Sequence, residues 1–317
     1  MGLIKLIAID IDGTIYPHKG QVVDLDKFKK FQKVNRKIIG ETEATPIICT
    51  GKSYPYVERL VEDAGMVDVP LSKPMTNICE AGAVIFRYNN WEDREIIRLG
   101  DTFGKLFIKD RLRHIKEVIA QNSEFKGVIE EVGRLATLSF NPPKDEKVHT
   151  LYEKILRILK THLDYKALTS EQSGTLNRTV EEISKRLPYQ TEEEIKEWLL
   201  KTLDPFYDFS IWKSSTAVDI LPFPTGKGLG ISYIATKIHK TFPENAIAIG
   251  DTPGDHPAFD IVGIPIAVAN ATQQTKDYVK DLDGFVTRRE SIDGVCDVLE
   301  HLLKYPTVEE FKKNWDN

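Results

Sequence analysis

The chain has 317 residues, 41% of them hydrophobic and 29% charged, with a formal charge of −5. That balance fits a folded globular protein rather than an extensively disordered one. The acidic excess gives no general drive toward nucleic acid or an anionic membrane surface, and no apolar run reaches the length of a bilayer span.

The first element is an apolar strand, Leu3–Ile9, that runs into Asp10-Ile11-Asp12-Gly13-Thr14. Residues i and i+2 of a strand share a face, so Asp10 and Asp12 are expected to point the same way. Two like charges so placed need a cation or a shared proton, unless the turn leaves both in water. Because this amino-terminal run carries acids, it reads as a core strand and not a signal peptide, and a cytoplasmic location is expected. His18, a little further on, fits either the mouth of a site or a solvent-facing loop.

Next comes a strand at Pro46–Thr50, followed by Gly51-Lys52-Ser53 and a helix over Tyr54–Ala64. The Thr50 hydroxyl and the amides after it could hold an anion there, or Thr-Gly could be a simple turn. Cys49 lies within the strand and reads as a small buried hydrophobe; with Cys79 and Cys296 it forms neither a zinc-ligand pattern nor a disulfide framework. Glu80-Ala81-Gly82 precedes a strand at Ala83–Phe86, with Glu80 facing a cleft or capping local backbone groups.

Residues 87–221 have a different texture. Charge-rich helices are expected at Lys105–Gln121, Glu146–His162 and Glu192–Lys201, interleaved with strands at Val128–Glu131, Leu135–Phe140, Asp208–Lys213 and Ala217–Leu221. This pattern describes an inserted α+β domain with its own sheet. The core, 1–86 with 222–317, is then assembled from both chain ends.

After the insertion, Pro224-Thr225-Gly226-Lys227-Gly228 places a lysine at the start of a helix over Lys227–His239. A cation there opposes the helix dipole, which is mildly unfavourable on a surface but useful if the lysine faces a carboxylate and a phosphate. The glycine and Ser/Thr spacing of a nucleotide P-loop is missing. A strand at Ala246–Ile249 then delivers Gly250-Asp251-Thr252-Pro253-Gly254-Asp255, a plausible hard-oxygen metal turn. The strand Ile264–Val268 and the helix Thr272–Lys280 follow, with Asn270 either supporting the acidic loop or capping that helix. His256 has no metal-ligand partner at helical spacing, and the scattered Trp91, Trp198, Trp212 and Trp315 form no base-stacking platform. Short apolar strands alternating with helices define an α/β fold, a Rossmann-like three-layer core with a mostly parallel sheet. Its ligand site lies at the carboxyl ends of the strands, where Asp10, Thr50 and Asp251 fall.

The stretches Asp10-Ile11-Asp12-Gly13-Thr14, Thr50-Gly51, Lys227-Gly228 and Gly250-Asp251-Thr252-Pro253-Gly254-Asp255, in this order, resemble the haloacid-dehalogenase-like superfamily. The resemblance is to its phosphatase branch, sugar-phosphatase-like, with a large α/β cap between the second and third motifs. It implies Asp10 as nucleophile and Asp12 as general acid and then base. Thr50 would bind the phosphoryl oxygens with Gly51 and Lys52 beside it, and Lys227 would orient Asp10 and the phosphate. It further implies Mg2+ held by Asp10, the Asp12 carbonyl and Asp251, with Asp255 in direct contact or just behind. Many relatives have asparagine where this chain has Gly254, which puts the orientation of that loop in question and not the reaction class.

The function so implied is hydrolysis of a small phosphorylated metabolite, a sugar phosphate, through an aspartyl-phosphate, without nucleic-acid or membrane partners. A phosphomutase and a non-catalytic phosphometabolite sensor are the alternatives, and the choice between monomer and homodimer stays open. Substrate selection falls to the cap, where Arg134, Lys144, Arg178, Lys213 and Ser214-Ser215-Thr216 are the polar candidates and Arg134 and Lys213 carry most weight.

Overall fold

The computed structural model describes residues 2–17, 24–64, 75–88, 94–99, 108–161, 167–169, 209–213, 217–223 and 225–315. His18, Trp91, Arg178, Trp198, Ser214–Thr216 and the expected helix Glu192–Lys201 lie outside them. In chain order the strands are β1 (Leu6–Ile9), β2 (Thr45–Ile48), β3 (Met75–Cys79), β4 (Val84–Tyr88), β5 (Arg94–Arg98), β6 (Ile129–Glu130) and β7 (Leu138–Asn141). They continue with β8 (Ala167–Thr169), β9 (Phe209–Lys213), β10 (Val218–Pro222), β11 (Ala246–Gly250), β12 (Ile264–Ala267) and β13 (Phe285–Val286).

The core sheet has the order β13-β12-β11-β1-β2, and all its pairings are parallel. Strand β1 is central, with Ile9 paired to Ile249 on one side and to Ile48 on the other. A parallel strand covered on both faces needs apolar residues at every position, which is why β1, β2 and β11 lack polar alternation. All four residues of β1 are buried. Each fully buried Ile or Phe of this core contributes about 1.5–3 kcal/mol.

Two helices that the apolar patterning did not predict pack against each other. Leu25–Glu41 starts at Asp24, whose side chain accepts from the Asp26 and Lys27 amides. It buries Phe28, Phe31, Val34 and Ile38 and packs against the helix Ser291–Lys304.

The strand expected at Ala83–Phe86 does not join the parallel sheet. It is β4, the middle of an antiparallel β3-β4-β5 sheet. A short apolar run does not reveal which sheet it enters. Strand β3 ties that sheet to the core: Asn77 Oδ1 accepts from the Ile48 amide at 2.8 Å, and Cys49 forms a parallel bridge with Ile78. The expected helix Lys227–His239 is α-helical only over Lys227–Tyr233, and Ile234–Ile238 is a π-helical turn.

Between these halves a second sheet has the order β6-β7-β10-β9-β8, antiparallel except for β8 beside β9. The helices Ile108–Gln121 and Val148–Thr161 bury Ile115, Ile119, Leu151 and Ile155 with Phe140, Ile211 and Ile220 of the sheet. Residues alternate faces along a strand, so Ser139, Asp219 and Trp212, which are paired in register, lie on the opposite face. The result is a Rossmann-like core carrying an inserted α/β cap.

Candidate active site

The backbone of Asp10 extends the core ladder by one bond, its amide donating to Ile249 O at 3.0 Å. The strand then breaks into a turn, with Gly13 in the left-handed region at φ 79°. That break separates the two acids that a continuous strand would have kept on one face. The Asp10 side chain is 10% exposed and that of Asp12 is 53% exposed. One carboxylate is fixed in the interior and the other stands at the mouth.

Lys227 Nζ donates to Asp10 Oδ1 at 2.8 Å and to Asp255 Oδ1 at 2.6 Å. These two ion pairs offset the unfavourable place of a lysine at a helix start. The other oxygen of Asp255 accepts from the Asp251 and Thr252 amides at 3.0 and 3.1 Å, and the Thr252 side chain completes a reciprocal cap. Gly250 makes this possible, because a Cβ there would overlap the Asp255 carboxyl group. Asp251, Asp10 and Asp255 bring one carboxylate oxygen each to within 4.8 Å of one another.

Three buried carboxylates facing one ammonium leave an excess of negative charge. Burial lifts Asp10 to about 7 against the pull of Lys227, with Asp255 adding to the rise. Asp251 is pushed up to about 8 by burial and then by Asp255 and Asp10. Burial alone would depress Lys227, but the Asp10 and Asp255 charges hold it well above the ordinary lysine value. Oxygen-only donors around uncompensated charge fit a hard divalent cation. Cys49, at the same strand ends, is pushed up to about 12 by burial and supplies no thiolate.

Across the mouth, Thr50 is buried at the end of β2, where its Oγ1 accepts from the Lys52 amide at 3.3 Å. Lys52 Nζ pairs with Asp12 Oδ2 at 2.9 Å. Asn270 Nδ2 donates to Gly13 O at 2.7 Å and its Oδ1 accepts from the Ser291 amide at 2.6 Å, so it braces the Asp10–Gly13 turn. Ser291 Oγ donates to the same Gly13 carbonyl at 3.1 Å. Ser291 lies 278 positions from Gly13 and carries no local signal in the sequence that would predict this contact.

The cap candidates divide. Arg134 is nearly buried: its guanidinium donates to Gly51 O at 2.9 Å and pairs with Glu131, with Asp219 beside it. Lys213 instead lies against His149 and over the Tyr152 ring, both residues of the helix Val148–Thr161. Lys144 is exposed. Glu80 corrects an expectation, for it neither faces a cleft nor caps local backbone. Its carboxylate accepts from the Leu135, Ala136 and Thr137 amides, 55 to 57 positions away. His256 stacks on Tyr278 with 3.8 Å between ring centroids, and its Nε2 lies 3.4 Å from Thr275 Oγ1.

A parallel α/β core with acids at its strand ends, a buried lysine among them and a cap inserted over the mouth defines a phosphoryl-handling hydrolase. Comparison with known proteins agrees. The haloacid dehalogenase-like hydrolase family matches residues 7–299. A phosphoglycolate phosphatase of Methanosarcina mazei is 31% identical over 298 residues, covering 94% of this chain and 96% of that protein. The match to a phosphoglycolate phosphatase of Methanosarcina acetivorans, 28% identical over 155 residues, covers 41% of this chain and spans only 65% of that relative's length. Among solved structures, the sucrose-phosphatase of Synechocystis shares the fold with a TM-score of 0.57 at 15% identity, over 95% of this chain and 98% of that one. The chain belongs to the haloacid dehalogenase-like hydrolase family, in its cap-bearing phosphatase branch.

Proposed function

We propose that this chain is a magnesium-dependent phosphatase of a small phosphorylated metabolite, a sugar phosphate, working through an aspartyl-phosphate on Asp10. The observation that carries the reading is the buried Asp10–Lys227–Asp255 pairing with Asp251 beside it. Asp10, Asp251 and the Asp12 carbonyl would hold the magnesium, with Asp255 fixing Lys227 and the Asp251 loop. When bound, the metal neutralises charge on Asp10 and the phosphate, so that the anionic partners can approach.

The chain's residues supply the remainder. Lys227 holds Asp10 Oδ1 and leaves the carboxylate oriented for in-line attack on phosphorus. Asp12, exposed and paired with Lys52, delivers a proton to the leaving oxygen and then takes one from the attacking water. Thr50 and the Gly51–Lys52 backbone cradle the phosphoryl oxygens. Arg134 and Lys213 remain the proposed cap contacts, the first already engaged with Gly51. We assign the core to 1–86 with 222–317, the cap to 87–221, and the protein to the cytoplasm. Among the described residues no helix is long and apolar enough to cross a membrane.

The name of the Methanosarcina mazei relative supports phosphoglycolate as a second substrate reading. A phosphate-release screen over sugar phosphates, phosphoglycolate, polyol phosphates and nucleotides, with and without Mg2+, tests both. Selective Mg2+-dependent release from a sugar phosphate supports the first reading, and selective release from phosphoglycolate supports the second. A rearranged phosphorylated product without free phosphate makes the protein a mutase. Tight binding without turnover makes it a sensor.

A further inference from the structure

The Glu80–Gly82 turn carries a construction that the phosphatase chemistry does not call for. Glu80 and Ala81 both adopt left-handed backbone, at φ 51° and 54°, followed by Gly82 at 95°. Two consecutive non-glycine residues rarely occupy that region unless their surroundings hold them there. On one side the turn is stitched to the phosphate-cradling loop: the Glu80 amide donates to Lys52 O at 2.8 Å and the Ala81 amide to Thr50 O at 2.9 Å. On the other side the wholly buried Glu80 carboxylate accepts from Leu135 N at 2.6 Å, Ala136 N at 2.9 Å, and Thr137 N and Oγ1 at 3.0 Å each. Three successive amides form a concave anion seat, filled here by a carboxylate from the other end of the contact. Arg134 returns the gesture, donating to Gly51 O at 2.9 Å and to Thr137 Oγ1 at 3.3 Å.

A core acid thus enters the segment leading into cap strand β7, and a cap guanidinium lands on the loop between Thr50 and Lys52. Lys52 in turn holds Asp12. We infer that Glu80 is a positioning residue that, together with Arg134, clasps the cap to the Thr50–Lys52 loop and so sets the seated arrangement in which substrate binds. The effect on catalysis rests on the phosphatase reading above, whereas the clasp itself does not. If only the seated fraction binds substrate, loosening the clasp raises the apparent KM by the inverse of that fraction, and saturating substrate restores turnover.

The test pairs Glu80→Gln, which presents an amide NH2 to a seat made of donors, with the milder Thr137→Val. Amide hydrogen exchange at residues 135–137 is measured beside that of β1 and β11. Steady-state kinetics use p-nitrophenyl phosphate with Mg2+. In Glu80→Gln the amides of 135–137 are expected to exchange at least tenfold faster while β1 and β11 are unchanged, and KM is expected to rise about tenfold, more than kcat falls. Thr137→Val is expected to move the same readouts in the same direction by less, and it carries the test alone if Glu80→Gln does not fold. Unchanged exchange at 135–137, or a fall in kcat that equals or exceeds the rise in KM, overturns the inference. If the wild type turns over no phosphate ester, the phosphatase reading fails and exchange alone decides the clasp.

Discussion

Asp10 and Asp12 are chemically identical side chains two positions apart, and their surroundings set them apart. The interior one is held by Lys227, while the exposed one is held by Lys52 at the rim. Replacing Asp12 by Asn should lower kcat by about 10²–10⁴, the usual worth of a positioned acid-base group, with a much smaller effect on KM. Steady-state kinetics on an ester with a poor leaving group measures it. Lys227→Met strips the compensation from two buried carboxylates and should cost about 3–5 kcal/mol, read from denaturant unfolding without added metal. The acids were legible in the sequence because they follow apolar runs, and Lys227 because it stands at a helix start, where a cation opposes the dipole. Glu80 and Ser291 were not legible as to role, because the Glu80 carboxylate meets Leu135 and the Ser291 hydroxyl meets Gly13, 55 and 278 positions away. Their meaning arises only when the chain folds.

At the scale of elements, the parallel strands were readable because burial on both faces erases polar alternation. Their ends shifted by one or more residues, from Leu3–Ile9 to Leu6–Ile9 for β1 and from Pro46–Thr50 to Thr45–Ile48 for β2. The helix Leu25–Glu41 was missed although Phe28, Phe31, Val34 and Ile38 follow helical spacing, since its many lysines mask the stripe. Sheet membership of β4 was beyond reach because period alone carries no information on neighbours. Close packing between elements gives a sharp prediction at Gly82. A Cβ there would collide with the Gly226 carbonyl, just before Lys227, and φ 95° already disfavours any other residue. Gly82→Ala should therefore destabilise the fold by about 2–4 kcal/mol. Denaturant melts should report that loss, and an effect below about 0.5 kcal/mol would show that the turn and the Lys227 helix are not packed as described.

At the scale of the whole molecule, the strand ends of the parallel core sheet hold a pool of buried negative charge, and that charge ties stability to pH. Asp10 and Asp251 titrate near 7 and 8 in the metal-free fold, above their ordinary value of 3.8. Between about pH 4 and pH 8 the folded protein therefore holds protons that the unfolded chain has released. Stability must fall as pH rises through that window. Calorimetry in chelator should show Tm decreasing from pH 5 to pH 8. Added Mg2+ should raise Tm more at pH 8 than at pH 5, because its ligands are then ionised. A Tm that rises with pH in chelator would contradict this electrostatic picture.

If Asp10 attacks phosphorus, acid-quenching a reaction with p-nitrophenyl phosphate should trap a phosphoryl group that peptide mass spectrometry can map. This ester needs little leaving-group protonation, so in Asp12→Asn the intermediate should form and then hydrolyse slowly. The phosphoryl group is expected on the Asp10 peptide and should accumulate in Asp12→Asn. It should be absent, along with turnover, from folded Asp10→Asn whose amide is verified intact. Phosphate release with no label on Asp10, or near-wild-type turnover by Asp10→Asn, would contradict attack by Asp10.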